Sequence, residues 1–383
     1  MQSTRVVVSS VVERSARVQQ LEGLFSVPPS ARVELAWDVA LPLDDRPWHV
    51  GLIVGASGSG KSTVARHLWP AELARTYTWS PTRSVLDGFP STMGIKDIVN
   101  LLSSVGFSDP PSWVRPFQVL STGEQFRVTM ARVLAEHADN ALAVVDEFTS
   151  VVDRTVAQVG SAAVARTVRQ RGQQFIAVTC HEDVEAWLTP DWVYRPATND
   201  FHWRELQRPP VIELSVGRVQ SSAWVYFRHH HYLDTELNKA ALCFVATWQG
   251  RPVAFVAALS FPHPQRSGWR LHRLVCLPDY QGVGIGVALA DFVSSVLAWN
   301  GKPVFRTAAH PAVVAHCARS PLWLMGREPS FGTRQRANRR TARGGFVGNM
   351  KRASNRLTAG FEYVGPPATR DVALALLGPE TQT

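Results

Sequence analysis

Three stretches of this 383-residue chain combine residue types at spacings that chemistry can use. The first reads Gly55-Ala56-Ser57-Gly58-Ser59-Gly60-Lys61-Ser62-Thr63. Its glycines let a backbone wrap tightly with N–H groups turned inward, and Lys61 adds a positive charge. Such a loop cradles phosphate oxygens, with Ser57 and Thr63 inside it and the Ser62 hydroxyl suited to a Mg²⁺ ion. The second is Asp146-Glu147, which follows the apolar run 142–145 and places two carboxylates at the tip of a buried strand. There Asp146 would hold a metal shell and Glu147 would orient or deprotonate water; a pair of acids at a helix N-terminus is the alternative. The third, Gln281-Gly282-Val283-Gly284-Ile285-Gly286, leads into text with Ile285, Leu289, Phe292, Val293, Val296 and Leu297 at helical spacing. Amides at such a helix start bind anions without lysine or metal.

The elements that must position these residues can be read around them. A strand over 49–54 enters the first loop and a helix leaves it from Ser62, while strands are expected over 76–80 and over 174–179 before His181. In the second half, 241–248 and 252–260 alternate around Gln249-Gly250-Arg251 as an antiparallel hairpin. Strands are expected over 270–276, 304–307 and 361–364. Length predicts two domains, and Pro209-Pro210 marks the boundary, giving 1–208 and 209–383. The composition, 45% hydrophobic and 19% charged, is that of an ordinary globular protein. The net charge of +9 is unevenly held: 20 basic and 22 acidic residues up to Pro209, then 20 basic against 9 acidic. An anionic partner is expected for the second half. No run approaches the roughly 18 apolar residues of a spanning helix, and Glu13, Arg14 and Arg17 interrupt the only N-terminal apolar stretch. Together with Cys180, Cys243, Cys276 and Cys317, which form no paired motif and read as reduced core thiols, this predicts a cytoplasmic protein with no membrane contact.

Between the first two stretches, Leu120-Ser121-Thr122-Gly123-Glu124-Gln125 resembles the signature motif of ABC-type ATPases. The resemblance implies that Ser121 and Gly123 contact the γ-phosphate of ATP bound to the opposite protomer, in a head-to-tail homodimer that sandwiches ATP and Mg²⁺. It also implies Asp146 and Ser62 as metal ligands, Glu147 as the catalytic carboxylate, His181 as the switch histidine, and Ser150-Val151-Val152-Asp153 as the loop crossing the dimer interface. Phe25 is the candidate for stacking on adenine, with Trp37 and Trp48 competing. Thr122 and Glu124 replace the usual glycine and glutamine, and Glu124 is closer to soluble DNA-repair ATPases than to transporters. The glutamine expected after 76–80 is absent, with Pro81 and Thr82 in its place and Asp87 the nearest polar substitute. Sixty positions separate Lys61 from Ser121, so the helical subdomain is short. Both features argue against a transmembrane transporter subunit as partner.

The third stretch resembles motif A of the GNAT acyltransferases, a likeness that covers about 212–370. It implies that Gln281, Gly282, Gly284 and Gly286 cradle the pyrophosphate of acetyl-CoA, with Leu274 and Cys276 on the neighbouring strand. His272 is either a catalytic base or a core histidine. The tyrosine that protonates departing CoA in this family is missing, and Cys317, Ser320 or water would take its place. The run from Phe227 to Tyr232, with three consecutive histidines, reads as acceptor contact, solvated surface or metal site.

The expected fold class is therefore α/β: a P-loop NTPase domain of ABC type followed by an α+β GNAT-fold domain. Residues 327–356 carry nine basic side chains (Arg327, Arg334, Arg336, Arg339, Arg340, Arg343, Lys351, Arg352, Arg356) against Glu328 alone. Their glycines suggest a basic insertion, and Trp323, Phe331 and Phe346 offer stacking faces; nucleic acid or bulk solvent is its partner. Three function classes follow: an ATPase coupled to acetyl-CoA-dependent N-acylation of nucleic acid, an ATP-regulated protein or small-molecule N-acetyltransferase, and a nucleic-acid-binding ATPase with a degenerate GNAT domain.

Overall fold

The computed structural model describes residues 3–74, 76–137, 141–204, 211–231, 235–262, 266–331 and 356–378. The chain divides into two units, one of residues 1–94 and 114–210 and one of residues 95–113 and 211–383. Residues 95–113 are thus counted with the second unit, although they precede the 208/209 boundary expected from sequence.

The first unit is built on a five-stranded sheet in the order Leu142–Val145, Gln174–Thr179, Val50–Val54, Trp192–Arg195, Asp200–Trp203. The first four strands are parallel and the last is antiparallel. Val50–Val54 is buried along its whole length, as an apolar run covered on both faces must be. Gly51 is fixed by packing, since a Cβ there would lie 2.1 Å from the Trp192 ring. Helices Lys61–Leu68, Thr122–Glu136 and Arg154–Arg171 accompany the sheet. Strands Ser3–Val11 and Arg32–Ala40 form a separate antiparallel pair.

The strand expected over 76–80 is absent; the neighbouring chain makes only an isolated bridge between Leu73 and Val144. The aromatic residues that gave it a strand pattern are used otherwise. Trp79 stacks on Phe117 at 4.6 Å between ring centroids, and Arg132 lies over both Tyr77 and Trp79.

The second unit holds a seven-stranded sheet in the order Trp323–Phe331, Leu357–Tyr363, Val304–Ala308, Gly268–Cys276, Arg251–Phe261, Leu242–Trp248, Ser215–Val219. Only the pair Gly268–Cys276 and Val304–Ala308 is parallel. The expected hairpin closes through Gln249 and Gly250, both at positive φ (50° and 76°), the two-residue turn that matches strand twist. Phe227 is buried with Trp224 against Phe255, so the 227–232 run begins in the core, and its next residues form a short 3₁₀ turn, Arg228–His230. No group of three His, Cys, Asp or Glu side chains among the described residues is placed to hold a metal, so that reading of the histidines finds no ligand set; Tyr232 lies outside the described residues. Arg327 and Glu328 lie within the edge strand Trp323–Phe331 instead of the expected insertion. The remaining basic residues of that stretch except Arg356, and Phe346, lie outside the described residues.

Candidate functional site

Parallel strands put their C-terminal ends on one sheet edge, and three of them carry the nucleotide-site candidates. Val54 lies opposite Thr179, and Val145 opposite Ala177, so the loop 55–60, Asp146-Glu147 and His181 all leave the same edge. The backbone reaches helix Lys61–Leu68 through Gly60 at φ 92°, ψ 2°. A side chain at that position would be strained, and its Cβ would lie 2.3 Å from the indole of Trp37. Trp37 rests on the loop and donates its Nε1–H to the Ser59 carbonyl at 3.2 Å. Phe25, the sequence candidate for the stacking aromatic, ends its helix 73% exposed, and Trp48 is buried against Trp192. No sequence signal separates Trp37 from Phe25; its place follows from pairing opposite Val6, whose side chain is fully buried in the core on which Trp37 packs.

Lys61 is 8% exposed and donates to the Ala56 carbonyl at 2.7 Å, which folds its ammonium over the loop. The Ser62 hydroxyl donates to Asp146 Oδ1 at 2.9 Å. Two hard oxygen donors therefore meet beside the loop, a donor set that suits Mg²⁺. Arg66, one helical turn beyond Ser62, reaches Asp146 Oδ2 at 3.4 Å. Glu147 has φ 54°, a left-handed conformation that a non-glycine residue keeps only where its surroundings impose it. Its carboxylate accepts from Ser150 Oγ at 2.6 Å, and Phe148 N–H is tied to the Val178 carbonyl at 2.9 Å.

The other nucleotide-site candidates have local structural roles. Ser121 caps helix Thr122–Glu136 in a capping box, with the Glu124 carboxylate accepting from the Ser121 N–H at 2.8 Å. A glutamate at position 124 is explained by that box. Gly123 packs close to Val156, where a Cβ would approach to 3.3 Å. Asp153 caps helix Arg154–Arg171, accepting from Thr155 and Val156 N–H at 2.9 and 3.0 Å. Asp87 is occupied by Ser84 at 2.9 Å.

In the second unit, strand Gly268–Cys276 pairs with Val304–Ala308 only from Trp269 to Leu271. Beyond that the ladder between these two strands ends; the His272 carbonyl accepts from the Arg273 guanidinium at 3.3 Å and the Cys276 carbonyl from Gln281. On the other side the register slips between Ala257 and Ala258, so that His272 is the extra residue of a β-bulge. Bulges re-aim a side chain and strengthen local twist, and this one lies where the strands begin to separate. Leu274 and Cys276 lie beyond the end of that ladder. The chain then passes Gly282 (φ 96°) and enters helix Ile285–Leu297 through Gly284 at φ 91°, ψ 2°. These dihedrals nearly repeat those of Gly60, so both units start a helix through a left-handed glycine. Gly286 leaves little room beside Cys276, since a Cβ there would lie 3.4 Å from the Cys276 Cβ.

Two sequence candidates are engaged within the protein. The Gln281 amide accepts from Ser108 N–H and donates to the Cys276 carbonyl, both at 2.9 Å. Cys317 is fully buried beside the buried guanidinium of Arg306, at 3.7 Å, and burial pushes its thiol pKa up. A neutral thiol enclosed in this way has no path to a departing CoA without local opening.

Residues 201–301 match the model of the acetyltransferase (GNAT) family, a span that includes the hairpin, the bulged strand, the glycine loop and the helix after it. Solved structures similar to the chain include MJ0796, a bacterial ABC transporter cassette in dimeric form, with 16% identity over 42% of this chain and 84% of that one, at a TM-score of 0.35. A post-hydrolysis MJ0796 dimer bound to ADP and Pi gives 15% identity over 43% and 89%, at 0.36. CbiO1 from Clostridium perfringens, part of an ABC transporter complex, gives 16% over 42% and 76%, at 0.31. No curated protein matches. At these scores the reading of the first unit rests on its own strand order and loop geometry. Among the described residues no helix is long and apolar enough to cross a membrane.

Proposed function

We propose that the chain hydrolyses ATP in its first unit and uses acetyl-CoA in its second unit to acylate an amino group of nucleic acid. The observation that carries the nucleotide part is the convergence of Lys61, Ser62, Asp146 and Glu147 on one edge of a parallel sheet. Ser62 and Asp146 would hold Mg²⁺, which would supply the positive charge that phosphoryl transfer requires. Lys61 neutralises the outer phosphates, Glu147 takes or orients the water proton, and His181 stands at the adjacent strand end. Phosphate-loop residues Gly55, Ser57, Gly58, Gly60 and Thr63 surround the triphosphate, and Trp37 offers the base a face. In a homodimer, Ser121, Gly123 and Asp153 of one copy would complete the loop of the other; the exposure of Ser121 supports this.

For acyl transfer, the pantetheine would lie beside Leu274 and Cys276, where the two strands have separated, and the amides after Gly282 and Gly284 would face the pyrophosphate. As the amine forms its C–N bond and the thioester C–S bond breaks, His272 takes the amine proton and CoA leaves as the thiolate, which then takes up that one proton from the His272 imidazolium to become the thiol. Nucleic acid is favoured as acceptor because the excess of 20 basic over 9 acidic residues lies in this half. Such a protein would work in the cytoplasm without a membrane-embedded partner. The test is mass spectrometry of DNA and RNA incubated with the protein, ATP and acetyl-CoA, with binding followed over a salt series. An acetylated nucleoside is expected, together with affinity that falls steeply with salt and on replacing Arg339, Arg340 and Arg343 with alanine. Acetyl groups found only on protein, or none at all, would refute the nucleic-acid reading.

A further inference from the structure

Residues 95–113 lie in sequence between the phosphate loop and Ser121, yet they are part of the second unit. Helix Ile95–Ser104 buries Ile98, Val99, Leu101 and Leu102 and packs against helix Pro311–Arg319. The chain turns at Gly106, at φ 91°, and Trp113 locks the turn by donating its indole N–H to the Phe107 carbonyl at 2.9 Å. The Trp113 ring lies 5.8 Å from that of His310. From this anchored turn the Ser108 N–H points at Gln281 Oε1, while Gln281 Nε2 holds the carbonyl of Cys276, the last residue of the bulged strand.

With its oxygen and its amide nitrogen both used inside the protein, Gln281 is braced against two backbones at the mouth of the glycine loop. We infer that Ser108 and Gln281 form a strut that positions this loop for the pyrophosphate of acetyl-CoA, which makes residues 105–113 a positioning element of the acyl-donor site. The inference rests on the reading that 282–286 binds acetyl-CoA. Gly282 and Gly284 give the loop backbone wide conformational freedom, so an unbraced loop must be ordered at the moment of binding and affinity falls by that cost. Gln281 acts through the loop and does not touch the donor with its side chain.

The test is calorimetric titration of the full chain with CoA and with pantetheine, which lacks the pyrophosphate. Gln281→Leu removes both bonds of the strut, and Ser108→Pro removes its far end while leaving Gln281 in place. Each variant should bind CoA about tenfold more weakly and pantetheine as wild type does. Because the two changes break one interaction, the double variant should be no worse than the weaker single one. CoA affinity unchanged in either variant, or equal losses for CoA and pantetheine, would overturn the strut. Wild-type protein that fails to bind CoA would instead overturn the acyl-donor reading beneath it.

Discussion

Lowering the pH should weaken the second unit through His310, and the size of the effect follows from its surroundings. Burial pushes this imidazole down from 6.5 to about 4, while a backbone hydrogen bond with Ser108 pulls the other way. More than about a unit above 6.5 the ring is neutral folded or unfolded, and it contributes no pH dependence. As the pH falls towards 4, the unfolded chain takes up a proton that the folded chain refuses. Stability is then lost at up to about 1.4 kcal/mol per pH unit, reaching about 3 kcal/mol near pH 4. His310→Asn removes the titrating group and keeps a polar side chain of similar bulk. Urea unfolding at pH 7.5, 5.5 and 4.5 is the assay. The transition of this unit can be followed by hydrogen exchange in peptides from Val304–Ala308 and Pro311–Arg319. Wild type should lose stability faster than the variant below pH 6.5, whatever their offset at pH 7.5. Parallel lines for the two proteins would refute the claim that His310 is held neutral beside Trp113.

Two further substitutions test the sites separately. Glu147→Gln should lower ATP turnover by about 10²–10⁴-fold, the contribution of a positioned proton acceptor, while ATP-dependent dimerisation persists in size-exclusion chromatography; unchanged turnover would remove Glu147 from the reaction. A Cβ at Gly284 meets no atom within 4 Å, so the structural cost of Gly284→Glu at the branch point is the left-handed backbone, roughly 1–2 kcal/mol, but the change sets a carboxylate at the helix start. Thermal stabilisation by acetyl-CoA should therefore vanish while the apo melting temperature drops only slightly, and retained stabilisation would argue against this loop as the donor site.

Much of the site was legible because its parts are contiguous. Gly55 to Thr63, Asp146-Glu147 and Gln281 to Gly286 each encode a backbone shape through neighbouring residues, and the structure places them at strand ends and helix starts as read. The hairpin through Gln249-Gly250 was legible for the same reason. The aromatic at the phosphate loop was not, since Phe25 and Trp37 differ only in where a separate two-stranded pair carries them. Alternating Tyr77 and Trp79 imitated a strand because the pattern does not reveal that Arg132 claims both rings.

The sequence by itself determined two glycine-rich loops at helix starts, the strands that feed them and the basic excess of the second half, because these depend on local backbone preference and composition. Only the tertiary structure decided that Cys317 is buried beside Arg306, that His272 sits on a bulge where two strands part, and that the Ser108 N–H meets the Gln281 amide oxygen. Those outcomes depend on which surfaces meet across 11 positions for Arg306 and Cys317, 35 for Trp269 and Val304 and 173 for Ser108 and Gln281, and such contacts leave no periodicity to read.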